Sequence, residues 1–158
     1  VNTGTAPLDL SLRQSVERAF GDGGGMGAMT VLRALLVWVL LLLLAIANGV
    51  LREAVLIPRL GGPSGLVLSG LLLSALILVL AWWLLPWIGV RGHGPLLLTG
   101  LGWLALTLGF EFTFGLWRGR TLAELLAAYR FEGGNLWSLV LLVTAGAPWL
   151  AGRLRRCT

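Results

Sequence analysis

LGGPSGLVLSGLLLSALILVLAWWLLPWIGV, residues 60–90, is a run of 31 residues without one Asp, Glu, Lys or Arg. Crossing the hydrocarbon of a bilayer takes about 20 apolar helical residues, so this stretch is long enough by itself. On either side of it, 34–51 gives a charge-free run of 18 residues, 92–110 one of 19, and 133–152 one of 20. The whole chain of 158 residues carries the same message: 57% is hydrophobic, 12% is charged and mean hydropathy is +0.88. A soluble domain holds about 25% charged residues, so too little charge is present to wet a globular surface. Disorder needs low hydrophobicity and high charge, which excludes it for most of the chain.

An unpaired peptide group in lipid costs several kcal/mol, so each span must be a helix or part of a closed barrel. Barrel strands alternate apolar and polar residues, and Leu40–Leu44 and Leu71–Leu73 do not alternate. The expected fold is therefore all-α: an integral membrane bundle of four transmembrane helices at about 31–51, 65–87, 94–117 and 135–152. In the first connection, 52–64, Pro58, Gly61, Gly62 and Pro63 end one helix and open the next. The second connection, 88–93, is short and rich in Gly.

The third connection predicts structure of its own, a short amphipathic interfacial helix between the third and fourth spans. Thr121 and Glu124 have the T-x-x-E spacing of a capping box, which satisfies backbone N–H groups at a helix start. Leu122, Leu125, Leu126 and Tyr129 then fall on one helical face, and Gly133-Gly134 stops the helix. Trp82, Trp83, Trp87, Trp117, Trp137 and Trp149 fall near span ends, where aromatic belts form. Trp38 and Trp103 lie deeper, in places suited to packing between helices. Gly65 with Ser69, and Gly70 with Ser74, have the small-xxx-small spacing that lets helices approach.

Three segments emerge. Residues 1–30 read as a flexible arm whose glycines at 21, 23, 24, 25 and 27 make a linker; 31–152 is the transmembrane domain; 153–158 is a basic tail. Ser11–Phe20 is patterned for a short helix. Met26 and Met29 stand just before the first apolar run, so the arm is either a gene-model extension or a real cytoplasmic segment. Arg33 followed by apolar residues and Ala45-Ile46-Ala47 also has the form of a signal peptide, whose cleavage would leave three spans. The apolar pattern continues past that site through Val50, Leu51 and Ala54 to Ile57, which favours a retained span.

Four spans put both termini on one side. Arg33, Arg91, Arg153, Arg155 and Arg156 lie there, with Arg13 and Arg18 if the arm is real, against Arg52, Arg59, Arg118, Arg120 and Arg130 on the other. The positive-inside rule is nearly balanced by this count, and the Arg153, Arg155 and Arg156 cluster directly after the last span places the termini in the cytoplasm. The net charge of +5 comes from arginine alone, with no lysine. No patterned basic helix or RNA-binding motif accompanies it, so anionic headgroups rather than nucleic acid are the expected partner. One Cys (Cys157) and one His (His93) supply neither a disulfide framework nor a zinc cluster. No nucleophile motif, phosphate loop or HExxH is present, so no catalytic residue, metal or cofactor is expected.

Glu111 alone sits well inside a span, seven residues before Arg118, or about 10 Å below that end. A charge at the bilayer centre costs about 2.5–3.5 kcal/mol and less near the interface. Asn48 and Arg52, at i and i+4 on the first helix, end on the same side and share a face. A polar cluster of Asn48, Arg52 and Glu111 between the first and third helices follows, with Glu53, Asn135 and Thr107 able to join it. Thr99, Trp103, Thr107, Glu111 and Gly115 recur every four residues and mark the inward stripe of the third helix. Such a cluster serves as glue between helices, as a proton or ion relay, or as a cofactor or lipid-headgroup site. Glue is favoured, because a lone acid without a second buried acid or His is thin support for a relay.

Asn48-Gly49-Val50-Leu51-Arg52-Glu53, Pro58-Arg59-Leu60-Gly61, Phe110-Glu111-Phe112 with Phe114-Gly115, and Leu136–Val140 leading to Pro148 form a set. Together they resemble a group of small bacterial inner-membrane proteins with four predicted spans and no assigned activity. The resemblance covers about residues 29–153 and implies that the N-G-x-L-R-E and F-E-F-x-F-G segments belong to one constellation. One departure is Gly62-Pro63-Ser64, where a more polar approach to the second span is expected. The function expected is that of a non-enzymatic membrane protein, an accessory or scaffold subunit working with other membrane subunits or as a homo-oligomer. The alternative is a small proton- or ion-coupled transporter using Glu111 and Arg52.

Overall fold

The computed structural model describes residues 27–127, 129–130 and 135–155. The expectations for 1–26, including the Ser11–Phe20 helix, for Gly133-Gly134 and for 156–158 with Cys157 lie outside the described residues. The elements are α1 (Ala28–Leu60), α2 (Gly62–Ile88), α3 (His93–Trp117), the short α4 (Leu122–Ala127) and α5 (Trp137–Arg155). α1, α2, α3 and α5 are each long and apolar enough to cross a membrane. The chain is an all-α bundle of four such helices, with α4 between the third and fourth.

The first span is longer than its charge-free run. Pro58 has no N–H and its ring crowds the preceding turn, which ordinarily breaks a helix. Here Arg52–Leu56 form a π-helical turn, in which the Ile57 N–H donates to the Arg52 carbonyl, and this wider turn carries α1 past the proline to Leu60. Gly61 then reverses the chain alone, with φ of 83° that L side chains rarely adopt. The start of α2 lies so close to α1 that a Cβ on Gly65 would sit 3.0 Å from the Ile57 nitrogen.

α2 ends at Gly89 in the left-handed conformation, its N–H donating to the Leu85 carbonyl at 3.1 Å. Pro86 inside that last turn leaves the Trp82 carbonyl without its helical donor. Arg155 Nε, from α5, donates to that carbonyl at 2.8 Å, and its guanidinium sits 4.7 Å over the Trp82 ring. Arg33 Nη1, from α1, does the same for the Trp87 carbonyl at 3.0 Å, 5.5 Å over the Trp87 ring. Both cations meet the negative end of the α2 dipole. The start of α1, the end of α2 and the end of α5 therefore share one end of the bundle.

α5 packs most extensively on α2 and α3, α1 packs on α2, and α1 touches α3 little. Buried Leu73, Ile77, Ala81, Leu85, Trp103 and Ala147 make the interior. Where α3 crosses α5, a Cβ on Gly100 would overlap the Ala145 carbonyl oxygen, so the glycine permits backbone contact. The outer faces are apolar: Leu43, Val50, Val79, Leu98 and Leu142 are more than half exposed. Apolar patches of this extent mark a surface meant for another apolar phase.

The capping box forms as read: Thr121 N–H donates to Glu124 Oε2 at 2.9 Å, and Glu124 N–H to Thr121 Oγ1 at 3.3 Å. The apolar face of α4 divides in two. Leu125 packs against Gly115 and Tyr129 stacks on Phe112 with ring centroids 6.1 Å apart, whereas Leu122 and Leu126 stay exposed. One half of the face holds α4 to α3 and the other half is presented outward.

Candidate functional site

The depth of each polar group follows from how α1 and α3 run side by side. Trp103 Nε1 donates to the Ala34 carbonyl at 2.9 Å, and Trp38 Nε1 to Thr107 Oγ1 at 3.1 Å, each pair being 69 positions apart in the chain. Thr107 Oγ1 in turn donates a hydrogen bond to the Trp103 carbonyl at 2.8 Å. Continued along two parallel helices, that register places Glu111 level with Leu42, about 9 Å short of Asn48 at 1.5 Å per residue. Asn48 and Glu111 are thus not at the same depth.

The three residues accordingly have other direct partners. Asn48, 7% exposed, donates through Nδ2 to Ser69 Oγ at 2.8 Å and to the Ser69 carbonyl at 3.3 Å, joining α1 to α2. Arg52 Nε pairs with the adjacent Glu53 Oε1 at 3.1 Å, with side chains 34% and 65% exposed. An exposed pair of this kind is worth well under 1 kcal/mol. Within the expected cluster of Asn48, Arg52 and Glu111, Arg52 therefore pairs with Glu53 rather than with Glu111, since α1 and α3 touch little.

Glu111 is served by the α4 side. Tyr129 donates its phenol to Glu111 Oε2 at 3.3 Å, and Arg120 lies within electrostatic reach. The Trp137 indole, at the start of α5, faces both, yet its N–H is buried without a hydrogen-bond partner among the described residues. Asn135 Oδ1 accepts from the Trp137 backbone N–H at 3.0 Å, and Ser138 Oγ donates to the Tyr129 carbonyl at 2.7 Å, which ties the α4 segment to α5. Burial, then the negative charge of Glu111, push the Tyr129 phenol up to about 12 from its ordinary 10.0.

Asn48, Arg52, Thr107, Glu111 and Asn135 all border one cavity of about 480 Å³ between α1 and α3, whereas Glu53 points away from it. The inner wall is aliphatic, with Leu41, Leu73 and Ile77 among its residues, and exposed Arg118 and Arg120 join Arg52 at the rim. Two buried polar atoms bordering it lack a well-formed hydrogen bond among the described residues: the acceptor Asn48 Oδ1, and the donor Trp137 Nε1, which lies near Glu111 and Tyr129. Sequence reasoning missed Ser69, Tyr129 and Trp137 as members of this site. Each had a signal that pointed elsewhere: small-residue spacing, an amphipathic face and an aromatic belt.

These features define a multi-pass membrane protein with an amphipathic cavity toward the end of the bundle opposite its described termini. No protein-family model matches the chain, and comparison with curated proteins and with solved structures finds no match.

Proposed function

We propose that the protein is a non-enzymatic subunit of the bacterial inner membrane, an accessory or scaffold chain of the small four-span group its motifs resemble. Both termini face the cytoplasm, in keeping with Arg153 and Arg155 at the end where Arg33 also lies. One observation carries the reading: among the described residues, no ionisable group in the interior continues from the cavity through the bundle. Beyond the cavity, toward the terminal end, the interior closes around Trp103, Ala81, Leu85, Leu96 and Ala147. The Thr99 hydroxyl at that depth is turned back on its own helix, Oγ1 donating to the Pro95 carbonyl at 2.9 Å, as is that of Thr144 on the cavity wall, to the Val140 carbonyl at 2.8 Å. Transport through Glu111 and Arg52 has less behind it, since the two are not paired and, among the described residues, no further ionisable group leads on from them through the interior.

The test joins flux to association. Proteoliposomes carrying the protein are expected to pass protons no faster than empty vesicles. Cross-linking in native membranes is expected to trap a partner chain or a second copy at fixed stoichiometry. Proton flux that collapses in Glu111→Gln would replace this reading with a transporter. A chain that remains uncross-linked and monomeric would remove the subunit role.

A further inference from the structure

The cavity between α1 and α3 has a composition that glue between helices does not require. Three guanidiniums, those of Arg52, Arg118 and Arg120, stand at its rim against one carboxylate, Glu111, within. Arg52 is shared with Glu53, and Arg118 rests 5.6 Å over the Phe114 ring at the surface. Deeper in, Leu41, Leu73 and Ile77 offer an aliphatic wall. Between rim and wall lie one orphaned acceptor, Asn48 Oδ1 on a residue 93% buried, and one buried donor, Trp137 Nε1, that lies near Glu111 and Tyr129 without a well-formed hydrogen bond to either. Buried polar atoms in folded proteins are nearly always paired, so an occupant bringing both a donor and an acceptor fits this pattern. The volume of about 480 Å³ falls in the range of small-molecule pockets. The flanking helices touch little, which leaves a lateral way in from the bilayer.

We propose that this cavity binds one anionic phospholipid with a hydroxylated headgroup. Its phosphate is met by the rim arginines, whose planar guanidiniums suit phosphate oxygens. Its head hydroxyls donate to Asn48 Oδ1 and Glu111, an oxygen of its ester region accepts from Trp137 Nε1, and one tail lies along Leu41, Leu73 and Ile77. The excess of positive charge selects the anionic lipid over a zwitterionic one, and the carboxylate selects a head that can donate.

Native mass spectrometry of the full chain in a neutral detergent tests this, with phosphatidylglycerol, phosphatidylcholine and glycerol 3-phosphate added separately. One phosphatidylglycerol is expected to be retained per chain, with phosphatidylcholine at least tenfold weaker and glycerol 3-phosphate not retained. Trp137→Phe keeps an aromatic ring but removes the N–H donor and part of the indole's bulk; it is expected to weaken retention by about tenfold. The double variant Arg118→Gln, Arg120→Gln alters exposed side chains only. It is expected to abolish the preference for the anionic lipid while leaving the helical circular dichroism and melting of the protein unchanged. Equal retention of both lipids, no retention of either, retention of glycerol 3-phosphate as strong as that of the lipid, or unaltered preference in the folded double variant would each overturn the proposal.

Discussion

Gly100→Ala adds one methyl group where α3 meets α5, and its cost can be worked from the geometry. The new Cβ would overlap the Ala145 carbonyl oxygen and lie 2.9 Å from the Ala145 carbonyl carbon and 3.4 Å from Pro148 Cδ. The obstacle is backbone, so no rotamer change relieves it; the helices must separate or slide. Overpacking of this kind costs about 1–3 kcal/mol, occasionally more, and a rigid neighbour puts Gly100 at the upper end. Alanine returns about 1 kcal/mol through its better helix propensity, leaving a net loss of about 2 kcal/mol. Gly102 and Gly109 lie in the same helix with nothing within 4 Å of an added Cβ, so alanine there meets no obstacle. Gly102→Ala and Gly109→Ala are therefore expected to be neutral or up to about 1 kcal/mol stabilising. The spread of about 2–3 kcal/mol between Gly100→Ala and its two controls corresponds to a folded-to-unfolded ratio lower by about thirtyfold to more than a hundredfold. Equilibrium unfolding in mixed micelles, followed by far-UV circular dichroism, measures it. A Gly100→Ala variant within 0.5 kcal/mol of Gly102→Ala would show that α3 and α5 do not cross in backbone contact there.

Two further outcomes are expected. Tyr129 is the chain's single tyrosine, so absorbance at 295 nm in an alkaline titration reports it alone, with a midpoint near 12 in the wild type. Glu111→Gln removes the charge that opposes the phenolate but leaves the burial, so the midpoint falls yet stays above 10.0. Because the folded state holds this proton longer than the unfolded chain, the Tyr129 contribution to stability is whole below about pH 10 and is lost as pH rises toward 12; a midpoint of 10 in both proteins would refute the burial. Arg155→Ala unpairs the Trp82 carbonyl that Pro86 leaves without a helical donor, a charged hydrogen bond worth about 1.5–3 kcal/mol. In a Pro86→Ala background the restored N–H takes that carbonyl, so the same change is expected to cost at least about 1 kcal/mol less; equal costs in a double-mutant cycle would refute the capping role.

How far the site was legible differs from residue to residue. The inward stripe of α3 was plain from spacing: Thr99, Trp103 and Gly115 are buried, with Thr107 and Glu111 half-buried. That Glu111 needed a partner was also plain, since charge at depth is costly. Its partner was not, because Tyr129 comes from a segment that folds back after α3 ends, and no periodicity along the chain announces such a return. The α4 capping box was legible because it is a contact over three residues. The division of its apolar face was not, since Gly115 decides which leucine has room to dock.

Length without charge was sufficient to identify four spans and an all-helical fold, because in a bilayer the backbone must satisfy its own hydrogen bonds and few architectures do so. It did not show that α1 passes Pro58 through a π-helical turn, which depends on how α2 closes against it at Gly65. Nor did it show that Asn48 belongs to Ser69 and Glu111 to Tyr129. Depth along a helix can be counted from sequence, but the register between two helices is set by which side chains meet across them. Here Trp38 and Trp103 set that register, and only the assembled bundle shows what they bond to.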